Sequence, residues 1–232
     1  MHCYMDFASI TDHNTTEGAK LAAAMLNKFG FEFPLIIGEE VTTKDWHMNA
    51  YPVKELISWE LSPFETIKAA HIQGAVIQWN HPGYPRSEWG DAHIDGALKG
   101  TGLDAWEHIP VKYEEWKLAG ILPVITGTTD THSGTFSSPE RTLIFAPTAT
   151  GYDVAEAVRW GRVVTVHAAG GPDIFYGSDD MISVACHLLK NGDKLKILKA
   201  ERLKKALRNA DIAGLIKASP PKQVNVESFL SD

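Results

Sequence analysis

The chain has 232 residues, 44% of them hydrophobic, with seven Trp and a formal net charge of −7, which suits one large α/β domain and excludes a disordered chain. The acidic balance argues against general nucleic-acid binding, and no apolar run reaches the roughly 18–20 residues that a membrane span needs. Two cysteines, Cys3 and Cys186, give no framework of bridges, so a reducing compartment, the cytoplasm, is the default location, with export the alternative should a leader precede Met1.

In chain order, "DFASI" (6–10) reads as a strand buried on both faces and ends in Asp12 and His13. Residues 15–30, rich in Ala and Leu, read as a helix closed by Gly30. "FPLIIGEEVTT" (33–43) reads as one strand carrying Glu39 and Glu40, with His47 beyond it. Residues 62–74 read as a helix with Ser62 as N-cap and Gly74 as its stop, followed by the strand "AVIQWNHPG". "GLDAWEHI" is a strand, "VKYEEWKLAG" a helix, and "LPVITGTTDTHS" and "RTLIFAP" are strands. "GYDVAEAVRWGR" is a helix leading into the strand "VVTVHAAGG". Strands alternating with helices predict βα units around a parallel sheet, open or closed into a barrel.

Residues 192–218 stand apart: Leu195, Leu198, Leu203 and Leu207 form a stripe, and residues 190–217 carry nine Lys/Arg against three Asp/Glu. A terminal helix with a solvated basic face is the expectation, with membrane-surface or partner binding as the alternative. Domain organisation is accordingly a barrel over 1–180 and a basic helical segment and tail over 181–232.

The strand ends share a pattern. They present Asp12-His13, Glu39-Glu40 with His47, Asn80-His81-Pro82, Glu107-His108 and Asp130-Thr131-His132. On a parallel sheet all would meet on one rim. Imidazole and carboxylate are the ligands of Zn, Mn and Fe, and a carboxylate can bridge two ions. Among the remaining candidates, Glu39 reads as a surface or supporting residue, His71 as structural, and Trp79, Trp89 and Trp106 as core. His2, His93, His167 and His187 carry no positional argument, and Arg141 reads as a surface ion pair before an anion clamp.

"ITDHNTTEG", "GEEVTT…H", "NHPG" and "TTDTHS", in that order over residues 6–165, resemble motifs of the PHP (polymerase and histidinol phosphatase) superfamily of metallohydrolases, and most of all its carbaryl-hydrolase-like branch. The resemblance implies a distorted (β/α)7 barrel holding one to three divalent ions, Zn, Mn or Fe, at its carboxyl rim. It implies His13, Glu40, His47, His81, Asp130 and His132 as metal ligands, with Glu40 bridging. Asp12 would orient His13, and Asp12, Glu40, His81 and Asp130 would form the catalytic group. The substrate class implied is a small-molecule phosphoester, or a carbamate or carboxylic ester, cleaved by metal-activated water.

The sequence departs from the family pattern at Trp46 and Thr128, where Gly is common, and at the front, where the strand ending His-x-His has no counterpart. The barrel is therefore expected to lack its first strand. Glu40, His47 and His81 would remain a full ligand set, while Glu40 with Asp130, and His13 with His132, would be partial ones. A truncated gene accounts for this; the alternative is a catalytically inactive PHP-like domain that binds metal or a partner.

Overall fold

A computed structural model describes residues 5–81, 102–107, 113–120, 122–132, 140–167 and 173–190. His2, Cys3, Trp89, His93, His108 and the basic segment 192–218 lie outside the described residues. No described helix is long and apolar enough to cross a membrane.

Strands β1 (Ala8–Ile10) and β2 (Leu35–Ile37) pair in parallel, joined by helix α1 (Glu17–Lys28). Parallel neighbours require a crossover of this kind. Gly30 stands at φ 67°, the left-handed conformation that its role as helix stop predicts.

The expected single strand over 33–43 is two strands. β2 ends at Ile37, and β3 (Glu39–Thr42) belongs to a different sheet. Gly38 is the cause. Its N–H donates to Ile10 O at 3.0 Å. A Cβ there would meet Thr11 Cγ2 at 2.7 Å and Ala50 O at 2.8 Å, so only glycine lets the backbones approach this closely.

The central sheet runs β3, β4 (His47–Tyr51), β5 (Val76–Trp79), β6 (Ala105–Glu107), β7 (Ile125–Thr126). It is mixed, which corrects the expectation of a parallel sheet: β3–β4 and β4–β5 are antiparallel, β5–β6 and β6–β7 parallel. The physical reason is the short turn between β3 and β4. Thr43 N donates to Trp46 O at 3.0 Å, and Thr43 Oγ1 accepts from Asp45 N and Trp46 N. Such a turn leaves no room for a crossover helix, so the chain doubles back.

A third sheet, in the order β10 (Ile174–Tyr176), β9 (Val163–His167), β8 (Glu140–Ile144), is antiparallel throughout. It joins the central sheet through side chains: Thr165 Oγ1 donates to Ile125 O at 2.6 Å, and Gly127 N donates to Thr142 Oγ1 at 2.8 Å. Among the described residues the strands thus form three sheets and no closed barrel.

Helix α2 (Pro63–Ile72) starts at Ser62, whose hydroxyl accepts from Glu65 N while the Glu65 carboxylate accepts from Ser62 N, a complete capping box. Helices α3 (Tyr113–Leu118) and α4 (Gly151–Arg159) follow the sequence expectation. Helix α5 (Asp179–Lys190) and strand β10 were not expected. Ala185, Met181 and Ile182 of α5 pack on Val164 and Val166 of β9. The boundary expected at residue 180 therefore falls in the first turn of a helix packed on the sheet.

Side chains alternate across the central sheet. Val41, Met48, Ala50, Ile77, Trp79, Trp106 and Ile125 face α2 and α3 and form the main core, and Trp79 and Trp106 serve packing as expected. The opposite face carries Glu40, Thr42, His47, Asn49, Gln78, Asn80, Glu107 and Thr126, by register. Val154, Ala155 and Val158 of α4 pack with Tyr51, Val76 and Ala105 at the far end of that face. The polar row is left toward the carboxyl ends of β5, β6 and β7.

Candidate metal centre

Four stretches of backbone deliver the candidate ligands. Beyond β1 the chain runs beside β3: His13 and Glu40 form a parallel bridge, and Asn14 N donates to Glu40 O at 2.9 Å. Asn14 extends the pairing with its side chain. Its Nδ2 donates to Thr42 O at 2.9 Å and its Oδ1 accepts from Thr42 N at 2.8 Å. The hairpin β3–β4 brings His47 level with Thr42, next to Glu40. His81 and Asp130 follow β5 and β7, each at positive φ, 39° and 41°, a conformation that non-glycine residues hold only where surroundings enforce it.

Glu40 is the hub. Its Oε1 lies 3.0 Å from His47 Nδ1 and 3.3 Å from His81 Nε2, and its Oε2 lies 3.4 Å from His13 Nδ1. His47 Nδ1 and His81 Nε2 are 3.3 Å apart, and His13 Nε2 and His132 Nε2 are 3.2 Å apart. Asp130 Oδ2 is 3.9 Å from His81 Nδ1, and Asp130 Oδ1 is 3.8 Å from His132 Nδ1. The six residues expected as ligands are therefore gathered together. His13, Glu40 and His47, and separately Glu40, His81 and Asp130, each offer ligand atoms within 4.8 Å of one another.

The donor chemistry fits cations. His132 Nδ1 lies 3.0 Å from the carbonyl of Asp130, which can only accept, so Nδ1 carries the proton and Nε2 its lone pair. With Thr42 Oγ1 donating to Glu40 O it can accept from His13 Nδ1 at 2.6 Å, which leaves His13 Nε2 as the nitrogen that could give up its proton to a cation. Two lone pairs facing each other at 3.2 Å repel unless a cation or proton lies between them. Ligands bound at about 2.0–2.1 Å in a tetrahedron are about 3.3 Å apart. The spacings of 3.0 and 3.3 Å among Glu40, His47 and His81 match that edge.

Burial alone would disfavour the Glu40 carboxylate. Hydrogen bonds from His47, His81 and Asn80 and the charge of His13 outweigh it, and its carboxyl lies well below the usual range. His81 is pushed up to about 10 by its hydrogen bonds to Glu107 and Glu40.

Several residues do not sit as expected. The Asp12 carboxylate lies against Gly18 in the first turn of α1, where a Cβ would overlap Oδ2. Glu39 is fully buried on the apolar face, not at the surface, because successive residues of β3 point to opposite faces. Its Oε2 accepts from Ile57 N at 2.8 Å, and burial raises its carboxyl. Trp46 alternates likewise into the core, so its bulk does not crowd His47. His71 bonds Asp104 at 2.9 Å, His167 bonds Glu140 at 3.2 Å, and Arg141 pairs with Asp173 at 3.3 Å.

The sequence reading placed Glu107 and Asn80 at strand ends without giving either a role, and it missed Asn14. Glu107 is 1% exposed and bonds both the ring and the backbone of His81. Its place at a strand end beside the other acidic and imidazole pairs was the available signal. No role in the resembled motifs picked it out.

No family model matches the chain. It is 33% identical over 98 residues to an uncharacterized protein of Methanocaldococcus jannaschii, an alignment covering 42% of this chain and 56% of that protein. The chain thus spans about half the length of the curated relative it matches. Its structure is similar to a two-domain protein of Bacteroides vulgatus containing a predicted PHP-like metal-dependent phosphoesterase, with a TM-score of 0.54 and 19% identity over 71% of this chain and 56% of the other. A further similarity, at a TM-score of 0.41 and 18% identity, covers 67% of this chain and 85% of a protein of Bifidobacterium adolescentis proposed to be a metal-dependent phosphoesterase. The Bacteroides match shows a fold shared with that protein.

Proposed function

We propose that the chain is a metal-dependent hydrolase of the PHP type that cleaves an ester bond, either a phosphoester or a carbamate or carboxylic ester. The observation that carries this reading is the gathering of His13, Glu40, His47, His81, Asp130 and His132 from four separate stretches, with ligand-atom spacings suited to divalent ions. Zn, Mn or Fe, one to three in number, suit a set of imidazoles and carboxylates. Such ions lower the pKa of water and polarise the scissile group.

The chain's own residues have distinct tasks. Glu40, ionised and placed between the two groups, supplies negative charge to both. His47 and His81 both lie against Glu40 Oε1 and His13 against its Oε2, with His132 beyond His13. Asp130 adds a second carboxylate at the exposed mouth. The positive φ of both His81 and Asp130 supports a backbone held in place for this site. The distorted (β/α)7 barrel and the carbaryl-hydrolase-like branch are the finer form of this proposal, resting on the order and spacing of the motifs.

The test is a panel of nitrophenyl phosphates and nitrophenyl esters, assayed with added Zn, Mn or Fe. Turnover should require metal and fall by at least a hundredfold in His81→Ala. Absence of turnover with every metal would instead support a metal-binding domain without catalysis.

A further inference from the structure

We infer that Glu107 is a positioning residue of this centre, a buried carboxylate that fixes both the backbone and the ring of His81 and ties them to the arm bearing Asp130. The inference rests on the metal-centre reading and adds to it a residue that supplies no ligand atom.

The geometry is specific. Glu107 Oε2 accepts from His81 N at 2.7 Å and lies 2.8 Å from His81 Nδ1. Its Oε1 accepts from Thr128 Oγ1. Both oxygens are thus turned to donors rather than toward Glu40. A carboxylate only accepts, so Nδ1 carries a proton and the metal-facing nitrogen is Nε2, the atom 3.3 Å from Glu40 Oε1. A ligating imidazole that donates its other N–H to a carboxylate is fixed in tautomer and direction.

Two further features separate this from ordinary core packing. His81 stands at φ 39°, and the N–H that Glu107 holds is that of the strained residue itself. Thr128 lies two residues before Asp130, which stands at φ 41°. One carboxylate therefore links the end of β5 at His81 to the arm after β7 that bears Asp130, two of the three described non-glycine residues at positive φ, Asn14 being the third. Thr128, where the resembled motif commonly has glycine, supplies the hydroxyl for this link.

The experiment measures Zn(II) affinity by competition with a chromophoric chelator for the parent, Glu107→Gln, Thr128→Val, His81→Ala and the double variant Glu107→Gln/His81→Ala. Glu107→Gln keeps the size of the side chain and loses its charge. It should weaken zinc binding about 10- to 100-fold. Thr128→Val, which leaves the His81 contacts in place, should weaken binding severalfold and serves as the test should Glu107→Gln not fold. The double variant should lose no more than His81→Ala alone, since Glu107 acts through His81.

Nitrogen NMR of the zinc-loaded parent should show His81 bound through Nε2 with Nδ1 protonated. Parent-like zinc affinity in both Glu107→Gln and Thr128→Val, additive losses in the double variant, or binding through Nδ1 would overturn the inference while leaving the metal centre standing. A parent protein that takes up no zinc would remove the metal-centre reading, and this inference with it.

Discussion

His81 holds the clearest electrostatic consequence of the site. Its two carboxylate partners, Glu107 and Glu40, hold the imidazolium so firmly that its pKa is pushed up to about 10. Without metal the ring therefore keeps its second proton at pH 7.5 and 8.5, whereas a ligating nitrogen must give it up. The proton belongs to the metal-free form only, so raising the pH favours the loaded form. Zinc affinity should climb about tenfold per unit between pH 7.5 and 9, with close to one proton released per His81 engaged. Glu40 adds nothing to this slope, since its lowered pKa leaves it ionised throughout. Calorimetry in buffers of differing ionisation enthalpy reads the released proton, and a pH-independent affinity would contradict the assignment. The six gathered candidate residues were legible because each occupies a motif position. Glu107 and Glu39 were not, because their roles depend on which face of a strand they occupy and on what covers that face. The pair Glu39-Glu40 shows the point: adjacent carboxyls, one aimed at the imidazoles of His47 and His81 and one buried over Ile57.

Gly38 decides how the elements are divided. It lets β2 finish beside β1 and β3 begin beside β4 within a single residue. Gly38→Ala would drive a methyl against Ala50 O, which is held by the β3–β4 pairing of Glu39 with Ala50 and cannot retreat. The expected cost is about 1–3 kcal/mol, the range for forcing extra volume into a packed interior. Urea unfolding would read it as a lower midpoint at unchanged slope; a parent-like midpoint would show that the strands can part there freely. This also explains why "FPLIIGEEVTT" read as one strand: its β-forming residues run on both sides of the glycine, and the close approach of Thr11 and Ala50 is a tertiary fact. The helices were more readable, since Ser62, Gly30 and Gly74 act through local capping. Strand β4 did carry a signal, with polar His47 and Asn49 alternating with apolar Met48 and Ala50. What hid it was the expectation of parallel order, which a tight turn at Thr43 defeats. Helix α5 carries its own apolar residues, Met181, Ile182 and Ala185, but the partners that give them meaning, Val164 and Val166, lie on a distant strand.

The ligand set also bears on the stability of the whole molecule, because its members come from segments distant in the chain. His13 follows the strand of the two-stranded sheet, Glu40, His47 and His81 belong to the central sheet, and Asp130 and His132 follow its last strand. An unfolded chain holds no such arrangement, so under the proposed function ions would bind the native state and stabilise it by mass action. At a free metal concentration one hundred times the dissociation constant the gain is about 2.7 kcal/mol. For a chain of this size that corresponds to roughly 5–10 °C in Tm. Thermal unfolding followed by circular dichroism should therefore shift upward by that amount between chelator-treated protein and protein with excess Zn or Mn. Glu40→Gln should abolish most of the shift, because Glu40 alone belongs to both ligand groups. Asp130→Asn, which touches one group and lies at the exposed mouth, should abolish only part of it. A parent protein whose Tm ignores metal would mean that the gathered imidazoles and carboxylates hold no ion, and equal losses in the two variants would mean that Glu40 does not join the two groups.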